Sequence, residues 1–185
     1  MNCWKSINLG KEYTPSRLVL LSVGCMILTF ILSFLVFSFY YMDIRHAELS
    51  MVKTLSVLAL LYPIHALLHF IPLWLAGAKT QTVISQRKKG KKQKFPFITL
   101  TFTKPIGRNF YVLAMLFPTL FIHTIAFIGA LLFPPFMFYF LLVLSLNTGL
   151  SVYDFIYVKQ LHGAPRHCFI EQKRNRIDIL LKQPV

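Results

Sequence analysis

The sequence predicts an all-α polytopic membrane protein with about four transmembrane helices, a short β-like loop and a basic tail. Three observations predict it. Hydrophobic residues make up 56% of the 185 residues, more than a soluble domain of this length carries. The apolar residues come in runs long enough to cross the hydrocarbon layer of a bilayer as helices. The charges are segregated into the N-terminus, one central segment and the C-terminus.

The first span is predicted over residues 18–41. It is longer than the apolar core of a secretory signal and has no small-x-small exit, so it reads as a retained helix. A polar loop with Asp43, Arg45, His46 and Glu48 follows. The second span covers residues 54–78, with no charge between Lys53 and Lys79. It contains Pro63 and Pro72, which remove backbone hydrogen bonds and should bend it.

Residues 79–109 form the central basic segment, with Arg87, Lys88, Lys89, Lys91, Lys92 and Lys94 at its heart. Its residues 95–103 alternate apolar and polar, the signature of a strand; an interfacial segment with wet lysines is the alternative. The apolar run from 110 to 158 is too long for one span, and Pro134-Pro135 divides it into spans 110–133 and 136–158. The tail, residues 159–185, carries a hairpin signal around Lys173, Arg174 and Asn175. The whole chain, 1–185, reads as one membrane domain.

A net charge of +14 raises nucleic acid as a partner, but no recognition motif accompanies it, and basic residues beside spans point to the lipid bilayer instead. Lys and Arg number three before the first span, two in the first loop, nine in residues 79–109 and six in the tail. This asymmetry predicts a multi-pass protein of the cell membrane with both termini and the central segment cytoplasmic. Cys3, Cys25 and Cys168 form no C-x-x-C pair and are expected to be free thiols, Cys168 as a small apolar side chain on a strand.

The chemistry centres on His65 and His69. Residues at i and i+4 share a helix face, so both imidazoles can aim at one point. The spacing is that of the H-E-x-x-H zinc helix, with Ala66 where the Glu would stand. Asp154 is the one acidic residue embedded in apolar sequence, and a carboxylate there needs a partner. Two imidazoles and a carboxylate make a three-ligand zinc set with a fourth position open to water. Counted from the flanking lysines, His69 and Asp154 differ in depth by roughly 7 Å, which tilt, a bend at Pro72 or unwinding near Gly149 would absorb. The competing reading has the His pair bonded to carbonyls or hydroxyls with no metal. His123 reads as a packing or hydrogen-bonding residue, and Tyr62, Tyr153 and Tyr157 as polar groups that could stand behind the ligands. Haem is disfavoured, because an i, i+4 pair cannot reach opposite haem faces.

Taken together, Pro63-Ile64-His65-Ala66-Leu67-Leu68-His69, the basic strand-like segment, a third helix with Pro118, and the stretch from Asp154 to Pro165 resemble the DUF3267 (putative zincin peptidase) family. That family is similar in outline to site-2-protease-type intramembrane metalloproteases. The resemblance implies zinc held by His65, His69 and Asp154, with Asn147 where such proteases often place a substrate-binding Asn. Ala66 departs from the pattern, since that position carries the Glu that deprotonates metal-bound water. The implied function is that of a degenerate metalloprotease homologue, a pseudoenzyme that binds metal or a transmembrane client without cutting it. The alternatives are an active intramembrane metalloprotease using another base, and a non-enzymatic structural membrane protein with no metal.

Overall fold

A computed structural model of the chain describes residues 2–8, 12–41, 50–75, 77, 80–84, 98–102, 105–165, 167–173 and 176–181. The first polar loop with Asp43, Arg45, His46 and Glu48, the lysine-rich heart of the central segment and Arg174 and Asn175 lie outside the described residues. Among those described, four helical stretches are long and apolar enough to cross a membrane: Pro15–Tyr40, Met51–Leu75, Arg108–Leu132 and Pro134–His162. The chain is thus a multi-pass membrane protein in build.

Helix α1 (Pro15–Tyr40) opens on a proline, whose fixed φ suits the first helical turn. The second span is two helices, α2 (Met51–Leu68) and α3 (Phe70–Leu75). Pro72 explains the break. It has no N–H for the Leu68 carbonyl four residues earlier, and its ring crowds that carbonyl. Pro63, in contrast, is accommodated inside α2. The stretch ends at Leu75, short of the expected 78, where Gly77 turns the chain at φ +69 and donates its N–H to Trp74 O. Helix α4 (Arg108–Leu132) keeps Pro118 in its interior. A 3-10 turn, Pro134–Phe136, then leads into α5 (Met137–His162), which runs four residues beyond the expected end at 158.

Strands β2 (Thr80–Ile84) and β3 (Ile98–Phe102) pair antiparallel, so the alternation at 95–103 marks a strand. A second sheet was not expected in full. It has the order β1-β6-β5-β4, from β1 (Asn2–Ile7), β4 (Ile106–Gly107), β5 (Phe169–Lys173) and β6 (Arg176–Leu181). The tail hairpin is β5–β6; β1 adds to it across the whole chain, pairing Ile7 with Ile177 and Ser6 with Asp178. The first and last described strands therefore lie at one end of the bundle.

The sheet is tied to the helices by a continuous apolar core. Ile7, Ile170, Ile177 and Ile179 pack with Tyr111, Met115, Ile156 and Leu161. Arg108 seals the joint, its N–H bonded to Cys168 O and its guanidinium to Ala164 O. At the opposite end Phe37, Ala126, Met137 and Leu141 form a separate cluster. Leu61, Leu68 and Ile122 join α2 to α4 between them. Helix α5 is central: it packs on α1, α4 and α2, and exposes little.

Candidate metal centre

His65 sits near the end of α2 and His69 at the break that follows it, both buried, with their rings edge to face and 5.1 Å apart. Asp154 on α5 is only 9% exposed and faces them. One ligand atom from each of the three lies within 4.8 Å of the others. Despite the depth difference counted from the flanking lysines, the three side chains converge; the second span is interrupted at His69, while α5 stays helical through Gly149.

The orientation of each imidazole has a local cause. Pro118 has no N–H, so the Ala114 carbonyl four residues earlier lacks its usual helical partner. That carbonyl instead accepts from His69 Nδ1–H at 2.8 Å. A carbonyl only accepts, so the ring proton of neutral His69 is fixed on Nδ1 and the Nε2 lone pair points inward. His65 Nδ1 lies 2.8 Å from Asn147 Oδ1; with the amide oxygen on that side, Nδ1 donates and the Nε2 lone pair is left inward as well.

The inward atoms converge on Asp154 Oδ2, at 3.2 Å from His65 Nε2 and 3.5 Å from His69 Nε2. Three lone-pair atoms at these separations repel unless a cation joins them. Two donors bound at about 2.1 Å to a tetrahedral ion stand about 3.4 Å apart, close to both separations. The outer nitrogens already rest on a carbonyl and an amide oxygen, as metal-binding imidazoles require. The residues fit a divalent ion of the zinc type.

The other predicted residues fall as follows. Asn147 has no exposed surface, and its amide lies between His65 and His123. Ala66 is half-buried one position along from His65 and offers no titratable atom. His123 bonds to Thr119 O, Thr148 and Asn147 rather than to the three converging residues. Tyr62 and Tyr153 are exposed, and Tyr157 is near enough to Asp154 to feel its charge. Tyr111, which the sequence did not single out, is buried in the same field. Nothing local marks it; only the packing of α4 on α5 brings it to Asp154. Outside the spans, burial holds the Cys168 thiol above its usual range, with the Arg108 guanidinium pulling against it.

Neither a curated protein nor a solved structure matches this chain. A family match covers residues 58–169, more than half of the chain and all of the converging residues. By that match, the chain belongs to the DUF3267 family, described as "Putative zincin peptidase".

Proposed function

We propose that this protein is a membrane-embedded, zincin-type metal-binding protein that holds one divalent ion, zinc by preference, at His65, His69 and Asp154, and acts by binding rather than by cutting. One observation carries the reading. The proton of neutral His69 is spent on Ala114 O, so its Nε2 lone pair stands 3.5 Å from a buried carboxylate oxygen. Such a contact calls for a cation between the two atoms.

Bound zinc would polarise a water or a carbonyl at its open position. This chain's residues supply the ligands, their orientation and exclusion of lipid. They supply no proton carrier at position 66, and general-base assistance is worth about 10²–10⁴ in rate. Asp154, the one carboxylate at the centre, is a ligand in this arrangement. Peptide hydrolysis is therefore expected to be absent or slow, and the role falls to metal or to a transmembrane client. Asn147 serves the site by orienting His65, and a client contact at Asn147 would require α2 and α5 to part.

A second reading is favoured by the same contact: a proton in place of the metal makes His69 and Asp154 a buried ion pair. Metal analysis of the purified full chain separates the two. About one zinc per chain, lost in His65→Ala and His69→Ala, supports the centre. Metal-free wild type, with stability falling in His69→Ala, supports the ion pair. Peptidase activity gained in Ala66→Glu would show that only the base is missing; cleavage by the unchanged protein, abolished in His65→Ala, would overturn the pseudoenzyme reading.

The orientation belongs to the same proposal: cell membrane, with both ends and the central basic segment cytoplasmic. Labelling intact cells should reach a cysteine placed at Arg45 and not one at Lys91.

A further inference from the structure

Behind His65 lies a polar chain, buried at Asn147 and half-buried at His123 and Thr148, that passes from α5 to α4 and back. Asn147 Oδ1 is 2.8 Å from His65 Nδ1, and Asn147 Nδ2 is 3.0 Å from His123 Nδ1. His123 Nε2 is 3.0 Å from Thr148 Oγ1, and the Thr148 hydroxyl donates to Leu144 O at 2.9 Å. With the Thr148 hydroxyl on Leu144 O, counting protons along this chain gives it one sense. The Thr148 hydrogen is on Leu144 O, so the Thr148 oxygen accepts from His123 Nε2–H. Neutral His123 then carries a lone pair on Nδ1, which accepts from Asn147 Nδ2. The amide is thereby held with Oδ1 toward His65, which must protonate Nδ1 and leave Nε2 free.

A competitor sits on the same atom. Thr119 O lies 2.8 Å from His123 Nδ1 and can only accept. If Nδ1 carries the proton for Thr119 O, Nε2 must accept from Thr148. The Asn147 amide must then turn, with Nδ2 toward His65 Nδ1. His65 would place its proton on Nε2, facing Asp154 Oδ2 at 3.2 Å. Both settings use the same heavy-atom positions. Thr119 O asks for a proton at Nδ1, Asn147 Nδ2 brings one, and Thr148 decides between them.

We infer that His123 is a positioning residue for the metal centre: with Thr148 it sets the orientation of the Asn147 amide, and through it which His65 nitrogen carries the proton. In one setting His65 Nε2 is a ligand; in the other its place is taken by hydrogen. The inference rests on the metal-centre reading for its consequence, but not for the tautomer itself, and the two are measured separately.

The tautomer is read by ¹⁵N histidine NMR on metal-free, full-length protein in lipid nanodiscs. Affinity is read by competition for Co²⁺ and Zn²⁺. Wild type should show His65 protonated at Nδ1. Thr148→Val removes the acceptor for His123 Nε2–H, so His123 turns to Thr119 O. His65 should then move to the Nε2–H form, and metal affinity should fall 10–100-fold, the range for losing support behind a ligand. His123→Phe should lower affinity similarly, while His123→Gln, whose side-chain oxygen accepts from Asn147, should restore both readouts. A His65 tautomer unmoved by Thr148→Val, or already Nε2–H in wild type, overturns the inference. A tautomer that responds in a wild type that binds no metal upholds the coupling and instead removes the metal-centre reading.

Discussion

Helices α1 and α5 have the same length, 26 residues, and both are long apolar runs, yet they have opposite places in the molecule. Only Leu18 and Phe37 of α1 are buried, whereas α5 buries a face that includes Ser145, Asn147, Ser151 and Asp154. The polar residues make the difference. In α1 the Ser33 hydroxyl is satisfied by its own helix, on Thr29 O and Phe30 O. In α5, Asn147 and Asp154 reach across to α2, and Ser151 accepts from Thr119 of α4. Lipid tails are as apolar as leucine, so apolar content does not tell the inside of a membrane bundle from the outside. Polar groups with partners on other helices do, because an unsatisfied one is costly at that depth.

The comparison breaks or sharpens under substitution, most strongly at the centre. Asp154→Ala removes the only α5 member of the proposed ligand set, and bound zinc should fall from about one per chain to near none by elemental analysis. The same measurement on Leu32→Ala of α1, an exposed position, should read as wild type. Pro118→Ala restores a backbone N–H that competes for Ala114 O and frees His69 Nδ1. Metal affinity should drop about 10–100-fold with all three ligands in place. An unchanged affinity would show that the missing N–H does not orient His69.

Packing effects are smaller. A Cβ at Gly129 of α4 would run into the Phe140 ring of α5. Overpacking costs about 1–3 kcal/mol, and alanine returns up to about 1 kcal/mol of helix propensity. Gly129→Ala should therefore lose about 1 kcal/mol, read as a lowered unfolding midpoint in detergent. A Cβ at Gly149 would meet Ser22 O of α1 at 3.3 Å, a contact that a few tenths of an ångström relieves. Gly149→Ala should change stability by less than about 0.5 kcal/mol, since the propensity gain offsets the crowding. A large loss there would mean that α1 is held as firmly as α4, which would undo the contrast.

Much of this was legible because helical periodicity is local. The four spans follow from run length, and the His65–His69 pair follows from one turn of helix. Asp154 stood out through its apolar neighbours. What escaped depends on partners distant in sequence. Residues 2–7 hold only a short mixed segment, and β1 exists because β6 offers it an edge. Both Pro63 and Pro72 announced a bend in the second span, but the sequence did not tell which of them would interrupt the helix. Asn147 drew notice through the family pattern, but its bond to His65 depends on how α2 and α5 are rotated about their axes. The Ala114 carbonyl is invisible to any reading of side chains, although Pro118, which frees it, was in view.

The pairing of β1 with β6 also has a consequence in time. Ser6 bonds to Asp178, 172 positions later. At about 5–20 residues per second, a nascent β1 waits roughly 10–35 s for that partner. All four spans leave the ribosome before β6 does, so the sheet closes last, after the helices have had their chance to insert. Its closure also requires both strands to be on one face of the bilayer. A chain with a span skipped or inverted would bring β1 and β6 to opposite faces, leaving β1 without a partner strand and β6 paired with β5 alone, so the sheet registers whether the spans have been laid down in order.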